Sequence, residues 1–454
     1  MNNSRRDFIK KASLLGTSMY VGANAFSAAS YRRIIGANDR INIGVIGFSD
    51  RHKGAHAPSF LAAYKELNFD IIAVSDIWKL RREEGANFWK QQLAHDIKPC
   101  VNNEELYAMK DVDAVFVSTA DFQHAMHAIE AVRAGKDAYV EKPLAETMED
   151  ARAVLKAVAD SKKIVQIGSQ RRSGINYFAA NDFIKSGKFG DIVMVELTWN
   201  VNQPGRWRRP ELVARLREED TDWKRFLLNR PYEPFNPRHY LEYRLFWPYS
   251  SGIPGQWLCH QIDTVHWFTG LSHPRSVAVN GGNYVWKDGR ENADTFTAVF
   301  DYGPFDDLTK GFQVLFKSRQ TNSGVLNGEE VKEIYYSNGG TLNLDTNKIT
   351  AVGGLTEQYA SVMGMQANLL PEMSLSDVRV GTAANTGGDP VTMAHVRNWM
   401  ECVRHRREPN APVIAGYNHS IAVMMANAAY RTGEKVTFDD QKQEVIAGGK
   451  VFKY

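Results

Sequence analysis

A lysine in the tripeptide Glu141-Lys142-Pro143 has the setting of a proton-transfer residue. It comes at the end of the segment KDAYVEKPL, whose short apolar run is typical of a buried strand. A lysine at the mouth of a strand can project its ammonium group into a cleft and share a proton with a substrate hydroxyl. An exposed lysine in a strand-to-helix turn is the structural alternative, and the tripeptide alone does not separate the two.

A histidine in the segment SGIPGQWLCHQIDTVHWFTG, residues 251–270, is the second candidate. His260, Asp263 and Trp267 recur at helical spacing, and a histidine on such a helix can face a cleft as a general acid or base. We do not expect His260, Asp263 and His266 to bind a metal ion together. They are spaced three residues apart on one helix, so the side chain of the last points well away from that of the first. A purely structural histidine remains the alternative.

The stretch GVIGFSDRHKG, residues 44–54, has the apolar entry and the glycines of a turn that binds a dinucleotide. Gly47, Phe48 and Ser49 lie at its centre, and Ser49 occupies the position of the usual second glycine. Asp76 ends the next apolar run, where a carboxylate accepts hydrogen bonds from the adenosine ribose of NAD and repels the 2′-phosphate of NADP. Because Lys79, Arg81 and Arg82 follow closely, the sequence predicts NAD but leaves NADP open.

The elements that must position these residues alternate between strand and helix. Five short apolar runs separated by helical stretches predict a doubly wound parallel sheet, in which ligands bind beyond the carboxyl ends of the strands. The loops expected there are Gly47–Gly54, Ser75-Asp76, Ser118–His124 and Glu141–Pro143.

The second half of the chain has a different pattern. After about residue 170 the strands are longer and alternate between apolar and polar residues, which predicts a large, mostly antiparallel sheet. Residues 200–250 are rich in loops and aromatic residues, and two helices lie at about 390–434. The fold class is therefore α/β, with a Rossmann domain at 40–168 and an α+β substrate and oligomerisation domain at 169–454. The two C-terminal helices are free to pack back toward the Rossmann domain.

The first thirty residues are interpreted as a targeting segment. Ser4-Arg5-Arg6-Asp7-Phe8-Ile9-Lys10 resembles the signal of the twin-arginine pathway, which exports folded proteins, and the apolar stretch that follows is too short for a good membrane span. We therefore expect a signal peptide at 1–30, a periplasmic location and no membrane span in the mature protein. Lys and Arg total 55 and Asp and Glu 52, so there is no basic excess to bind nucleic acid.

Taken together, these motifs resemble the Gfo/Idh/MocA oxidoreductases from about Ile41 to the end. The resemblance rests on the Gly47 loop, Asp76, the Thr119–His124 loop, EKPLAETMEDAR, IGSQRR and CHQIDTVHWFTG. It implies a Rossmann domain with an open-faced sheet that often forms oligomers, and Lys142 and His260 as catalytic residues. The implied cofactor contacts are Gly47, Phe48, Ser49, Asp76, Ser118, Thr119, His124, Glu141, Lys142 and Gln170. The implied substrate contacts are Arg171, Arg172, Gln256, Trp257 and Asp263. For Arg171 and Arg172, a place at the cofactor site and packing against acidic groups stay open as alternatives.

Two positions depart from the family pattern. Gln256 stands where members often have an aspartate four residues before the histidine, and Ala120 replaces the usual proline after Thr119. Glutamine does not titrate, so the proton transfer falls on Lys142 and His260. Five aromatic residues in the second half suit stacking on sugar faces, although some must be core: Trp199, Trp207, Trp247, Tyr249 and Trp257.

The resulting hypothesis is a periplasmic, NAD-linked oxidoreductase for a sugar or glycoside, with its cofactor loaded before export and held tightly. Two alternatives stay open at this point. One is an NAD-dependent glycoside hydrolase that works by transient oxidation and elimination, and the other is a sugar-binding protein without turnover, which the Gln256 change favours mildly. A homo-oligomer is expected, and no metal site.

Overall fold

The first half of the chain folds into a parallel sheet, because its short apolar runs are suited to burial on both faces. The computed structural model describes residues 39–203, 205–324, 331–375 and 389–454, and within them this sheet has six strands in the order β3-β2-β1-β4-β5-β6. The strands are β1 (Ile41–Ile46), β2 (Phe69–Ser75), β3 (Lys98–Cys100), β4 (Ala114–Val117), β5 (Asp137–Val140) and β6 (Val165–Ile167). Neighbouring strands are all parallel, so the predicted doubly wound sheet is confirmed.

Helices follow the strands of this sheet. They are α1 (Ala57–Leu61), α2 (Tyr64–Leu67), α3 (Lys79–Leu93), α4 (Asn103–Tyr107), α5 (His124–Arg133) and α6 (Met148–Ser161). The start of α6 illustrates why they form where they do: the Thr147 side chain accepts a hydrogen bond from the Asp150 backbone N–H at 3.1 Å, which satisfies one of the free donors of the first turn. Strand β3 was not among the five predicted strands. It has only three residues and lies at the edge of the sheet.

The second half builds the second sheet, which within the described ranges has eleven strands in the order β14-β13-β12-β11-β7-β10-β9-β8-β15-β16-β17. The strands are β7 (Ile192–Asn200), β8 (Ser276–Gly282), β9 (Thr295–Tyr302), β10 (Phe312–Arg319), β11 (Val331–Ser337), β12 (Gly340–Asn343), β13 (Lys348–Thr350), β14 (Met373–Ser374), β15 (Val436–Asp439), β16 (Glu444–Ala447) and β17 (Lys450–Val451). Only β7 and β10 pair in parallel among these strands, so the mostly antiparallel prediction is confirmed.

One face of the second sheet is covered and the other is open. Phe296, Phe300 and Phe316 are buried on the covered face, whereas Val299 and Lys317, which alternate with them, are exposed. The longer helices of this half are α7 (Ile175–Lys185), α11 (Cys259–Thr269), α13 (Pro390–His405) and α14 (Val413–Thr432). The short ones are α8 (Pro210–Val213), α9 (Trp223–Leu227), α10 (Pro237–Leu241) and α12 (Glu357–Val362).

The two C-terminal helices contact the first sheet. Trp399 of α13 packs against Phe116 of β4, with ring centroids 4.7 Å apart, and α14 lies against α6. The domain boundary at 168/169 stays a prediction, and the expected signal peptide at 1–30 lies outside the described residues. Within the described ranges, no helix combines the length and the apolar character needed to cross a membrane.

Candidate active site

The loops at the carboxyl ends of the parallel strands converge on one cleft, which has a volume of about 580 Å³. All ten predicted cofactor contacts line it, namely Gly47, Phe48, Ser49, Asp76, Ser118, Thr119, His124, Glu141, Lys142 and Gln170. His260, Arg171, Gln256 and Trp257 line the same cleft. The structure thus brings residues that are far apart in the sequence to one place, as expected for an open α/β sheet.

The turn after β1 requires its glycine. Gly47 has φ +82°, and a Cβ atom there would lie 2.8 Å from the Thr119 side chain and 3.1 Å from the Ser118 carbonyl oxygen. Ser49, by contrast, does not adopt a left-handed conformation, so a serine is tolerated at that position. Its hydroxyl accepts a hydrogen bond from the His52 N–H at 3.2 Å. The loop therefore keeps the close backbone approach that a pyrophosphate group needs.

Asp76 directly follows β2, at the carboxyl edge of the sheet, which is the position expected for a contact to the adenosine ribose. Its carboxylate accepts hydrogen bonds from the backbone N–H groups of Phe48 and Trp78, both at 2.9 Å. Burial raises the pKa of Asp76, although these hydrogen bonds and the nearby arginines oppose the shift. Arg82 donates to the Asp76 carbonyl oxygen at 2.7 Å, and Arg81 pairs with two carboxylates. Arg81 and Arg82 could bind the 2′-phosphate of NADP, but both are already bonded to other groups of this chain.

We expect the protein to bind NADH more tightly than NADPH, and Asp76→Ala to weaken NADH binding by about tenfold to a hundredfold, the range for losing hydrogen bonds to a charged group. Fluorescence titration of both nucleotides with both proteins measures this. Equal affinities in the wild type, or an unchanged NADH/NADPH ratio in the variant, would contradict the role assigned to Asp76.

Glu141 connects the glycine loop to the lysine turn. One carboxylate oxygen accepts from Arg51 Nε at 2.8 Å and lies 2.7 Å from His56 Nε2, and the other accepts from the Lys142 N–H at 3.1 Å. Burial disfavours the charged carboxylate, but the Arg51 guanidinium and His56 hold the pKa of Glu141 well below its usual range. Glu141 is therefore an ionised anchor for both loops.

Lys142 extends from this anchor across the cleft. Its Nζ atom donates to the backbone carbonyl oxygen of Gln256 at 2.8 Å, just before α11. His124 helps fix the turn, because its Nδ1 atom lies 2.8 Å from the Pro143 carbonyl oxygen. The two predicted catalytic residues, Lys142 and His260, thus approach the same end of the cleft from different elements.

His260 is half-buried and stacks on Trp199, with ring centroids 5.7 Å apart and an interplanar angle of 25°. Burial, together with the positive charges of Lys142 and Arg171, keeps the pKa of His260 well below the usual histidine value. The imidazole is therefore neutral at pH 7 and can accept a proton.

A neutral His260 predicts the position of the acid limb in the pH–rate profile. Because a lowered pKa keeps the imidazole neutral as pH falls through about 6.5, the ordinary histidine value, activity that needs the neutral form is lost only at lower pH. Steady-state rates across acidic pH, for the wild type and His260→Asn, measure this. A limb at or above pH 6.5 that the variant removes would contradict it.

Gln256 is held between two charged residues that the sequence did not single out. Its Oε1 atom accepts from Arg244 Nε at 2.9 Å, and its Nε2 atom donates to Asp121 at 2.5 Å. Asp121 also accepts from the Ser250 hydroxyl at 2.6 Å. A weak signal existed for Asp121, which lies inside the predicted Ser118–His124 loop. For Arg244 the only hint was the wealth of arginine and aromatic residues in 200–250.

Arg171 and Arg172 have different surroundings. Arg171 lines the cleft, lies over Trp199 and forms an ion pair with the buried Glu333. Arg172 instead forms two hydrogen bonds with Asp263, at 2.8 and 3.0 Å, and among the described residues these two are not part of the cleft lining. The structure therefore places two predicted substrate contacts in the interior, where each neutralises the other.

The aromatic residues divide in the same way. Trp199, Trp207 and Trp257 line the cleft, and the rings of Trp199 and Trp257 are parallel within 2° at a centroid distance of 6.0 Å. Tyr249 is buried in a separate apolar cluster, and Trp247 packs against the Arg431 guanidinium. The first three form an aromatic wall of the cleft, in which Trp199 and Trp257 are almost fully buried and Trp207 is half-buried.

Comparison with known proteins agrees with this arrangement. Residues 41–169 match the Gfo/Idh/MocA oxidoreductase family, described as having an NAD-binding Rossmann fold. Inositol 2-dehydrogenase of Agrobacterium fabrum is 32% identical over 164 residues, which are 36% of this chain and 47% of that protein. The 1,5-anhydro-D-fructose reductase of Ensifer adhaerens is 34% identical over 141 residues, 29% of this chain and 42% of that protein.

Two solved structures share the fold over most of the chain. Levoglucosan dehydrogenase in complex with NADH and levoglucosan has a TM-score of 0.62 at 14% identity, with coverage of 88% of this chain and 99% of that one. The WlbA dehydrogenase of Bordetella pertussis, in complex with NADH and UDP-GlcNAcA, has a TM-score of 0.61 at 17% identity and the same coverage.

These comparisons fix the domain type. The chain spans about half the length of the two relatives, and the family model matches the part of the chain that forms the parallel sheet. Residues 41–169 therefore form an NAD-binding Rossmann domain, and the predicted cofactor class is confirmed.

Proposed function

We propose that the protein is an NAD-dependent oxidoreductase that oxidises a ring CH–OH group of a sugar or glycoside to a ketone, or catalyses the reverse reaction. The observation that carries this proposal is the position of Lys142, which links the dinucleotide loops to the segment before His260. The names of the relatives support it, because both enzymes act on ring-shaped polyols or related sugars by oxidation or reduction. Their names do not support net glycoside hydrolysis.

The residues of the cleft can divide the work of such a reaction. When bound, NAD would supply the hydride acceptor for such an oxidation, and the residues that line its loops would hold it. In the oxidation direction, the proton of the reacting hydroxyl passes through Lys142 to His260, whose neutral imidazole accepts it. Trp199, Trp207 and Trp257 line the cleft, and the half-buried Trp207 is the most exposed of the three rings toward a sugar.

The residues Gly47, Ser118 and Asp76 fit the cofactor. Ser118 donates its hydroxyl hydrogen to the Gly47 carbonyl oxygen at 2.8 Å, which holds the turn in a shape with no room for a side chain at residue 47. Such a preformed cradle lowers the cost of ordering a ligand. It supports the further proposal that the cofactor is held tightly.

Location and assembly are also proposals. The twin-arginine resemblance at residues 4–10 supports export of the folded, cofactor-loaded protein to the periplasm. The open face of the second sheet, where Val299 is exposed, supports a contact between copies of this chain.

Purification without added nucleotide, followed by denaturation, tests the cofactor part of the proposal. Mass spectrometry of the released small molecules should find NAD in near-stoichiometric amount. A protein that is empty and also fails to bind NAD and NADP would overturn the proposed function.

A further inference from the structure

Positive charge is concentrated at the end of the cleft where the proposed substrate would lie. Arg206 lies over the Trp257 ring, 5.2 Å from its centroid, and hydrogen-bonds to Gln203. Arg244 reaches the neighbouring residue, Gln256, from another loop. Both arginines line the cleft, and the Lys142 ammonium joins them through its own contact to the Gln256 backbone.

Arg171 and Arg244 differ in how closely their charges are matched by carboxylates. The charge of Arg171 nearby is neutralised by Glu333. For Arg244, no ion pair with a carboxylate within 4 Å is found among the described residues, and Nε is its only side-chain nitrogen with a hydrogen bond to one of them. Burial opposes the charge of Arg244, but Tyr243 and the more distant carboxylates Asp121, Asp50 and Glu141 raise its pKa. Its remaining donors are thus available to a ligand.

The surroundings of Arg206 show that the charges are crowded. Burial, with the charges of Arg244 and Arg209, lowers the pKa of Arg206 to about 10. A group of like charges in a partly dry cleft is stabilised when an anion binds between them. Arginine is also the residue whose planar fork best matches a carboxylate or a sulfate.

We infer that the substrate is an acidic sugar, and that Arg206 and Arg244 bind its anionic substituent beside the tryptophans that line the cleft. This inference rests on the proposed function. It goes further in selecting, among sugars, those that carry a carboxylate, sulfate or phosphate group.

The pyrophosphate of the cofactor is the other anion that Arg206 and Arg244 could bind. Arg209 is the better placed for that, because its guanidinium lies 3.3 Å from Asp50 in the glycine loop. Arg206 and Arg244 instead contact Gln203, Trp257 and Gln256, none of which belongs to the glycine loop. The observations therefore favour the substrate as the anion, and the experiment separates the two sources.

The test compares sugars that differ only at one substituent, for example a hexose, the matching hexuronate and the 6-sulfate and 6-phosphate esters. Binding to the NADH-loaded full chain is measured by calorimetry, and turnover of the NAD-loaded full chain by the rise in absorbance of the reduced nicotinamide. We expect an acidic member to bind and react better than the neutral hexose, with a preference that weakens as salt screens the charges. Arg244→Gln and Arg206→Gln should each reduce this preference by about tenfold to a hundredfold.

Two further variants make the result specific. Arg206→Lys keeps a positive charge and should retain part of the preference, which a folding defect would not restore. Arg215→Gln removes the same charge from an exposed position outside the cleft lining and should change nothing. Equal binding of neutral and acidic sugars would overturn the inference. So would weaker NADH binding in Arg244→Gln with an unchanged substrate preference, because the arginines would then serve the cofactor.

The calorimetric arm keeps this inference separate from the proposed function. If acidic sugars bind preferentially but no nicotinamide is reduced, the acidic-ligand site is supported and the oxidoreductase proposal fails. If sugars of both kinds react equally well, the oxidoreductase proposal is supported and the inference fails.

Discussion

Replacing Lys142 by methionine should lower kcat by about a hundredfold to ten-thousandfold, the range for removing a general acid–base group. The physical reason is that Lys142 is the ammonium group fixed between the dinucleotide loops and the His260 segment, through its 2.8 Å contact to Gln256. Methionine keeps much of the length of the side chain but has no proton to share. Nucleotide content and thermal stability should change far less than kcat.

Two companion variants make this prediction specific. Lys142→Arg preserves the charge but gives up no proton near neutral pH, so it should also lose most of its activity. Lys435→Met alters an exposed lysine outside the cleft lining and should behave like the wild type. A fully active Lys142→Arg would show that charge alone suffices, and the proton-transfer role would be wrong.

Glu141→Ala should destabilise the protein by about 3–5 kcal/mol, because removing one partner of a buried ion pair leaves the other charge uncompensated. The charge left uncompensated is that of Arg51, whereas His56, whose pKa is lowered by burial, loses a hydrogen-bond partner. Denaturant unfolding of the nucleotide-free protein measures the loss. Glu219→Ala, at an exposed ion pair, should cost less than about 0.5 kcal/mol.

The stability difference between the wild type and Glu141→Ala should change with pH in a definite direction. Since the pKa of Glu141 is depressed in the folded protein, its stabilising contribution is complete above the unfolded value of about 4.3 and is lost as pH falls through the folded pKa. The difference in stability between wild type and Glu141→Ala should therefore be full at pH 7 and shrink below about pH 4. A difference that grows toward acidic pH would contradict an ionised anchor.

Much of the cleft could be predicted from the sequence, because its residues sit in local patterns. The Gly47 turn, Asp76, Lys142 and His260 each follow or begin a strong apolar element, and the topology of a parallel sheet brings strand ends together. The short edge strand β3 and the C-terminal strands β15–β17 were missed. A run of two to four residues carries too little periodicity, and it becomes a strand only when it pairs with a neighbour.

The other features that the sequence did not reveal concern the pairing of side chains that are far apart in the sequence. Arg172 and Asp263 are 91 residues apart and satisfy each other in the interior, which no local pattern reveals. In the same way, Gln256 could be read as a lost carboxylate, whereas the structure supplies Asp121 to its amide group from a loop 135 residues away. Patterns locate elements, but the partners of charged groups are decided by packing.

The most direct test of the proposed hydride transfer follows deuterium from the sugar to the nicotinamide. The NAD-loaded protein is mixed with an accepted sugar that carries deuterium on its ring carbons, the reaction is quenched after a single turnover, and the released nucleotide is analysed by mass. We predict that the reduced nicotinamide carries deuterium and that Lys142→Met slows its appearance. Conversion of the sugar without deuterium on the nicotinamide would contradict oxidation by hydride transfer and, with it, the function proposed for this protein.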